Sequence, residues 1–83
     1  VIMSYFIIES VIKVKLRIKD LREDHDLTQK QIANVIMCDQ SLYSKYERGE
    51  REIPLSLLIV LADFYKTSLD YLTCRTNNPK ILK

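Results

Sequence analysis

Polar side chains of three chemical kinds lie between residues 40 and 45. Gln40 carries an amide, Ser41 and Ser44 carry hydroxyls, and Lys45 carries an ammonium group. These groups form the hydrogen bonds that base edges offer in the major groove of DNA. The chain has no internal repeat, no glycine-rich phosphate loop and no nucleophile motif. The residue types therefore favour recognition of a duplex over catalysis, and the alternative is a merely solvated helix face.

Two short predicted helices joined by a tight turn would position these groups. Thr28 is the predicted N-cap of the first helix, and Gln31 three residues later completes a capping box. Asp39 is the predicted N-cap of the second helix. Apolar residues at helical spacing form the inward faces, and those expected in the core are Ile32, Ala33, Ile36, Cys38, Tyr43 and Tyr46. The pattern predicts a helix-turn-helix.

These positions resemble the phage Cro/repressor-type (XRE-like) helix-turn-helix family. The matching segments are Leu27-Thr28-Gln29, Ile32-Ala33, Cys38-Asp39-Gln40-Ser41, Ser44-Lys45-Tyr46-Glu47-Arg48-Gly49, Arg51-Glu52-Ile53-Pro54-Leu55 and Ser68-Leu69-Asp70-Tyr71-Leu72. So many spaced positions are far more specific than one short motif. The resemblance implies an all-α fold, a compact five-helix lambda-repressor-like domain, to which this chain adds an apolar N-terminal extension.

The resemblance assigns DNA contacts to both helices, because the first turns of the second helix meet bases in this docking geometry. The expected base contacts are Gln40, Ser41 and Lys45, with Ser44 and Leu42 as weaker candidates. Helix N-termini and flanking cations commonly meet the DNA backbone. The expected phosphate contacts are Gln29, Lys30, Arg48 and Arg51. A structural ion pair between Arg22 and Glu47 matches an Arg–Glu pair of repressors in this family.

The function that the resemblance implies is sequence-specific binding of double-stranded DNA by a transcriptional regulator. The expected form is a repressor that acts as a homodimer on an inverted repeat. The alternative is a protein-interaction module of the same fold, antitoxin-like, with weak or no DNA binding. An enzyme is disfavoured because the chain has one His and no paired acidic constellation outside charged helices. No cofactor and no small-molecule substrate are expected.

Composition limits the other classes of protein. The 83 residues suffice for one domain, and 47% hydrophobic residues with one Gly and two Pro fit a helical protein. A net charge of +2 permits DNA binding without arguing for it. Cys38 and Cys74 lack metal-ligand spacing, so no zinc site built from this chain alone is expected. Free thiols fit a cytoplasmic location, and no stretch approaches the ~18 apolar residues of a membrane span.

The predicted domain spans residues 13–76, between an N-terminal extension at 1–12 and a frayed C-terminal tail at 77–83. The extension is apolar, and its β-branched and aromatic residues favour a strand over a short helix. It is either a natural part of the chain or sequence upstream of a start at Met3. The first helix of the domain is predicted over residues 13–24. Its expected inward residues are Val14, Ile18 and Leu21, and its expected solvated residues are Lys13, Lys15, Arg17 and Lys19.

The fourth predicted helix, residues 55–65, is apolar almost all round, which indicates a central buried helix. The expected core stripe is Leu58, Leu61, Ala62 and Tyr65. Leu57, Val60 and Phe64 form a second apolar stripe, which the ordinary core does not require. We expect the extension to cover this stripe, within one chain or across a dimer. The alternative is that the stripe is itself the dimer surface.

Three positions that often carry glycine in similar sequences have other residues here. Asp26 precedes the second helix, Met37 lies in the turn, and Cys74 follows the fifth helix. A left-handed conformation at Met37 would cost on the order of 1 kcal/mol. Gly49 is expected to close the third helix.

Overall fold

The computed structural model describes residues 15–81, which form five α-helices and no strand. The helices are α1 (Ile18–Asp24), α2 (Gln29–Val35), α3 (Gln40–Arg48), α4 (Leu55–Phe64) and α5 (Leu69–Leu72). The all-α, five-helix prediction is therefore confirmed for the described residues. The predictions for the extension at residues 1–12 lie outside them.

Three of the helices begin at the side-chain caps that the sequence predicts. The Thr28 hydroxyl accepts a hydrogen bond from the Gln31 backbone N–H at 3.1 Å, and the Gln31 side chain accepts one from the Thr28 N–H at 2.8 Å. Asp39 and Ser68 accept the N–H of the third residue after them, at 2.8 and 3.0 Å. These bonds satisfy donors that a helix cannot satisfy internally, so they fix where α2, α3 and α5 start.

Each helix contributes one large, almost completely buried side chain to the core. In chain order these are Ile18, Ile32, Tyr43, Leu61 and Leu72. Each buried aliphatic side chain contributes about 1.5–3 kcal/mol relative to exposure. The other expected core residues of the motif (Ala33, Ile36 and Tyr46) are also buried, and Cys38 is half-buried against them. The core therefore holds α2 and α3 at a fixed mutual angle.

All five helices end in the same way, with a residue in the left-handed conformation. Besides Gly49 (φ 75°), these residues are Asp26, Met37, Lys66 and Cys74, with φ between 54° and 63°. At each end, two successive backbone N–H groups donate back to carbonyls of the last helical turn, which is the Schellman arrangement. The expected left-handed turn at Met37 is present, and the sequence pattern did not single out Lys66.

Replacing Met37 by glycine is expected to raise the free energy of unfolding by about 1 kcal/mol, because glycine has no Cβ to clash in the left-handed region. The Met37 side chain is 92% exposed, so its removal leaves no cavity. Urea unfolding followed by circular dichroism measures the change. Met37→Ala is the matched control, since it keeps the Cβ and should give no gain. Equal stability of the two variants would contradict the prediction.

The first helix is shorter than predicted, and Arg17 does not lie on a solvated face. Residues 15–17 precede α1, which begins at Ile18, while residues 13 and 14 lie outside the described part. The Arg17 backbone N–H donates to the Leu72 carbonyl at 2.9 Å, and its Nε donates to the Tyr71 carbonyl at 2.8 Å. Its guanidinium also stacks over the Tyr71 ring at 4.4 Å from the centroid. These bonds to α5 hold residue 17 outside the helix.

The segment after α5 is fastened to the domain, which differs from the frayed tail that we expected. Arg17 Nη2 donates to the Thr76 carbonyl at 3.3 Å and to Asn77 Oδ1 at 2.8 Å. The Thr67 hydroxyl donates to the Pro79 carbonyl at 2.6 Å. Residues 76–79 are thus ordered by one side chain from before α1 and one from before α5.

Among the described residues helix α4 is buried on one face only, so its burial all round stays a prediction that depends on the extension. Its expected core stripe is buried as predicted, and Leu57 packs against that core while half-exposed. The side chains of Leu55, Ile59, Val60 and Phe64 are 40–60% exposed. The described elements pack against α4 from one side, and an apolar composition cannot reveal how many sides are covered. The expected cover, residues 1–12, lies outside the described part.

Candidate nucleic-acid interface

Helix α3 presents one polar face, because successive residues are separated by about 100° around its axis. Ser41, Ser44, Lys45 and Arg48 fall on this polar face, opposite the buried tyrosines of the core. Gln40 and Ser41 are exposed in the first turn, while Ser44 and Lys45 are half-buried. Leu42, the weakest of the expected base contacts, lies at the edge of the face and packs partly against the core.

The N-terminus of α2 supplies two of the expected phosphate contacts, and they differ in their surroundings. Lys30 is exposed. Gln29 is half-buried, and its Nε2 donates to Glu47 Oε1 at 3.1 Å. This bond joins the start of α2 to the end of α3. An amide nitrogen has two N–H donors, so one donor of Gln29 is committed to Glu47.

An ion pair between Arg22 and Glu47 lies behind the polar face. Arg22 Nε donates to Glu47 Oε2 at 2.6 Å and Nη2 donates to Oε1 at 3.0 Å, a two-pronged arrangement. Arg22 Nη1 also donates to the Leu27 carbonyl at 2.9 Å. The two side chains are only 13% and 2% exposed. With Gln29, this network links α1, the α1–α2 loop, α2 and α3.

The electrostatic surroundings keep Glu47 ionised. Burial acts to raise the pKa of Glu47, but the hydrogen bonds from Arg22, Tyr43 and Gln29 and the charge of Arg22 outweigh it, so the pKa lies below its ordinary value. Burial, with a contribution from the Glu47 charge, raises the pKa of Tyr65 to about 12, and burial also raises the pKa of Tyr43. Both phenols are therefore neutral at ordinary pH. The buried Tyr65 hydroxyl has no hydrogen-bond partner among residues 15–81.

Arg48 ends α3 on the polar face and already has two partners. Its Nε donates to the Glu50 carboxylate, and its Nη1 donates to the Ser44 hydroxyl. Arg51, the other cation expected to meet phosphate after α3, is exposed in the loop. The pairing of Arg48 was missed at the level of sequence. The sequence signal that could have predicted it is the acidic Glu50 two residues after Arg48, with Gly49 between them.

The part of the chain that the structure describes offers no metal site and no membrane span. No group of three or more His, Cys, Asp or Glu residues among 15–81 could hold a metal ion. None of the helices in that range is long and apolar enough to cross a membrane. Both cysteines are free thiols, and each is half-buried.

The five helices and the polar face of α3 define a helix-turn-helix domain. A family described as Helix-turn-helix matches residues 18–72, from the start of α1 to the end of α5. The chain therefore belongs to the helix-turn-helix family, of the XRE type that its sequence resembles. No solved structure gives a significant match.

Three relatives carry names that describe regulators. The HTH-type transcriptional regulator YobD of Bacillus subtilis (strain 168) is 38% identical over 63 residues, covering 76% of this chain and 56% of its own. The cryptic phage CTXphi transcriptional repressor RstR of Vibrio cholerae is 39% identical over 49 residues, covering 59% and 44%. The HTH-type regulator YqaE of Bacillus subtilis (strain 168) is 32% identical over 66 residues, covering 80% and 57%. The chain thus spans about half the length of these relatives.

Proposed function

We propose that this protein is a sequence-specific, double-stranded-DNA-binding transcriptional regulator that represses as a homodimer on an inverted repeat. The observation that carries the proposal is the polar face of α3, held against α2 by the buried network around Glu47. Membership of the helix-turn-helix family supports it. The names of the relatives, one of which is a phage repressor, support the regulatory role.

In the proposed complex, α3 enters the major groove with its N-terminal residues at the bases. Gln40, Ser41 and Lys45 supply amide, hydroxyl and ammonium donors to base edges, and Ser44 lies one turn further along. Lys30 and Arg51 flank this surface as exposed cations and meet phosphate. Gln29 meets phosphate with the amide donor that Glu47 leaves available, and Arg48 meets phosphate with its guanidinium.

A dimer follows from the small size of the reading surface, because one short helix offers few base contacts. Two copies related by a two-fold axis would read half-sites about one helical turn, ~34 Å, apart or a multiple of it. The protein-interaction alternative draws on a different observation, the exposed Val60 and Phe64 of α4. Exposed apolar side chains of this kind mark partner surfaces when they are contiguous.

Selection of bound sequences from random duplex DNA tests the proposal. We expect enrichment of an inverted repeat, and an affinity that falls steeply with salt because phosphate contacts release counterions. If no sequence is enriched over random DNA even at low salt, the regulator proposal is wrong and the interaction module is favoured. The variants Lys45→Ala and Lys30→Ala then distinguish base contacts from phosphate contacts.

Lys45→Ala is expected to lower affinity for the selected site by about 1–3 kcal/mol while changing affinity for scrambled DNA much less, because a lost base contact relaxes sequence preference. Lys30→Ala is the matched control on α2. It should weaken binding to both DNAs about equally and reduce the salt slope by about 1. Fluorescence anisotropy titrations at several salt concentrations measure both effects. Equal losses on the two DNAs for Lys45→Ala would place Lys45 on phosphate.

A further inference from the structure

The last residue of α3 is held by an acidic residue from the loop that follows. Arg48 is aligned with Ser41 and Ser44 along the polar face, at spacings of seven and four residues. Its guanidinium donates to the Ser44 hydroxyl on one side and to the Glu50 carboxylate on the other. The side chains of Arg48 and Glu50 are both about half exposed, at 51% and 54%. The pair therefore lies on the surface that the proposed function turns toward DNA.

The backbone after α3 fixes where the Glu50 carboxylate lies. Gly49 adopts a left-handed conformation with φ of 75°, which folds the chain back over the end of the helix. The Gly49 N–H donates to the Tyr46 carbonyl at 3.2 Å, and the Glu50 N–H donates to the Lys45 carbonyl at 2.9 Å. Glu50 is thus anchored to the last turn of α3. The helix end therefore places the Glu50 backbone where its side chain can reach Arg48.

A carboxylate in this place competes with a DNA phosphate. Both are oxyanions that accept charge-assisted N–H bonds from guanidinium, so the same donors of Arg48 serve one or the other. A carboxylate left near the duplex is also repelled by the phosphates within the screening distance of about 8–10 Å at ordinary salt. A phosphate that binds Arg48 through Nε therefore displaces Glu50, and the displaced carboxylate remains close to a negatively charged surface.

We propose that Glu50 is an affinity-limiting competitor built into the interface, occupying Arg48 and through it Ser44 until a phosphate replaces it. This inference rests on the proposed function and names Glu50 as a residue that limits the affinity for DNA. Glu50 would weaken DNA binding, whereas the cations around it would strengthen it. Removal of the Glu50 charge strengthens binding, and the gain depends on Arg48.

The matched pair of variants is Glu50→Gln and Glu52→Gln. Both remove one exposed carboxylate from the same loop, and only Glu50 is bonded to Arg48 among the contacts of the described residues. On the selected duplex we expect Glu50→Gln to tighten binding about three- to tenfold at low salt, with a salt slope steeper by about 0.9, one phosphate contact. Glu52→Gln should tighten binding less than about twofold, because it releases no cation of the polar face. Thermal unfolding of each variant checks that the fold is retained.

A double-mutant cycle with Arg48→Gln shows whether the effect runs through the guanidinium. In the Arg48→Gln background, Glu50→Gln should gain no more than Glu52→Gln does. The inference is overturned if Glu50→Gln matches Glu52→Gln, if its gain survives without Arg48, or if it weakens binding, which would make Glu50 an orienting residue. A wild-type chain that binds no duplex would instead refute the proposed function, so the two failures are distinguishable.

Discussion

Replacing Arg22 by alanine is expected to lower the free energy of unfolding by about 3–5 kcal/mol, because it leaves the buried Glu47 carboxylate without its cation. Glu47 is 2% exposed and accepts two bonds from Arg22, so water cannot take over those bonds without opening the core. The Leu27 carbonyl loses a donor in the same variant. Urea unfolding at pH 7, followed by circular dichroism, measures the loss.

Lys19→Ala is the control for this prediction, since Lys19 is an exposed residue of the same helix. It should change stability by less than about 0.5 kcal/mol. The double variant Arg22→Met with Glu47→Leu removes both charges, and it should recover much of the loss because no ion remains buried without a partner. If Arg22→Ala were no less stable than Lys19→Ala, the pair would have no structural role.

The same pair gives stability a defined dependence on pH. The folded-state pKa of Glu47 is lowered, so the unfolded chain takes up the proton first as pH falls. The stabilisation is fully present above the ordinary pKa of Glu, about 4.3, and is lost as pH falls through the folded-state value. Stability measured from pH 6 downward should therefore fall less steeply in Glu47→Gln than in Glu52→Gln, which removes an exposed carboxylate.

Replacing Arg17 by alanine is expected to lower the free energy of unfolding by about 2–3 kcal/mol, through lost charge-assisted hydrogen bonds and lost stacking. Its guanidinium holds the Tyr71 carbonyl, the Thr76 carbonyl and the Asn77 side chain, and it covers the Tyr71 ring. No neighbouring cation could replace it at all of these places. Urea unfolding measures the loss, and hydrogen exchange should show faster exchange in residues 72–80.

Lys15→Ala and Arg17→Lys are the controls. Lys15 is exposed two residues earlier and should be neutral to stability. Arg17→Lys keeps the positive charge but not the planar fork, so it should restore only a minor part of the loss. A fully stable Arg17→Lys variant would show that the charge alone matters and that the shared hydrogen bonds do not.

The helices of the motif could be predicted because their determinants are local. The caps at Thr28, Asp39 and Ser68 act over three residues, and the apolar faces repeat within two turns. Such patterns are visible in the sequence without knowledge of the fold. The left-handed turn at Met37 could likewise be anticipated from its position between two predicted helices.

The contacts of Arg17 could not be predicted in this way. Its partners Tyr71 and Asn77 are 54 and 60 residues away in the chain. A run of alternating cations has the same sequence pattern whether or not one of them is hydrogen-bonded to a distant segment. Which faces of α4 are covered cannot be predicted from its composition for a related reason. Hydrophobicity shows which residues favour burial, but the number of neighbouring elements decides which ones are covered.

At the candidate interface, helical periodicity predicts which residues share the polar face of α3 but not which are already bonded. Gln29 shares its amide with Glu47, and Arg48 is held by Glu50. Both pairings arise where two helices, or a helix and its following loop, are brought together by the fold. A residue type alone therefore indicates a capacity to form hydrogen bonds, and the structure shows which internal partners Gln29 and Arg48 already have.

The repeated left-handed helix ends bear on how this domain could acquire new DNA specificities. Four of the five carry a side chain where glycine is better accommodated, and three of these, Asp26, Met37 and Lys66, are exposed. Changes to a recognition helix commonly cost about 1 kcal/mol of stability, and proteins stay functional only while a minimum stability is kept. Glycine or asparagine at a helix end could offset such a change without touching α3. The junctions between helices thus leave a domain of this fold room to change residues of α3 while the scaffold stays folded.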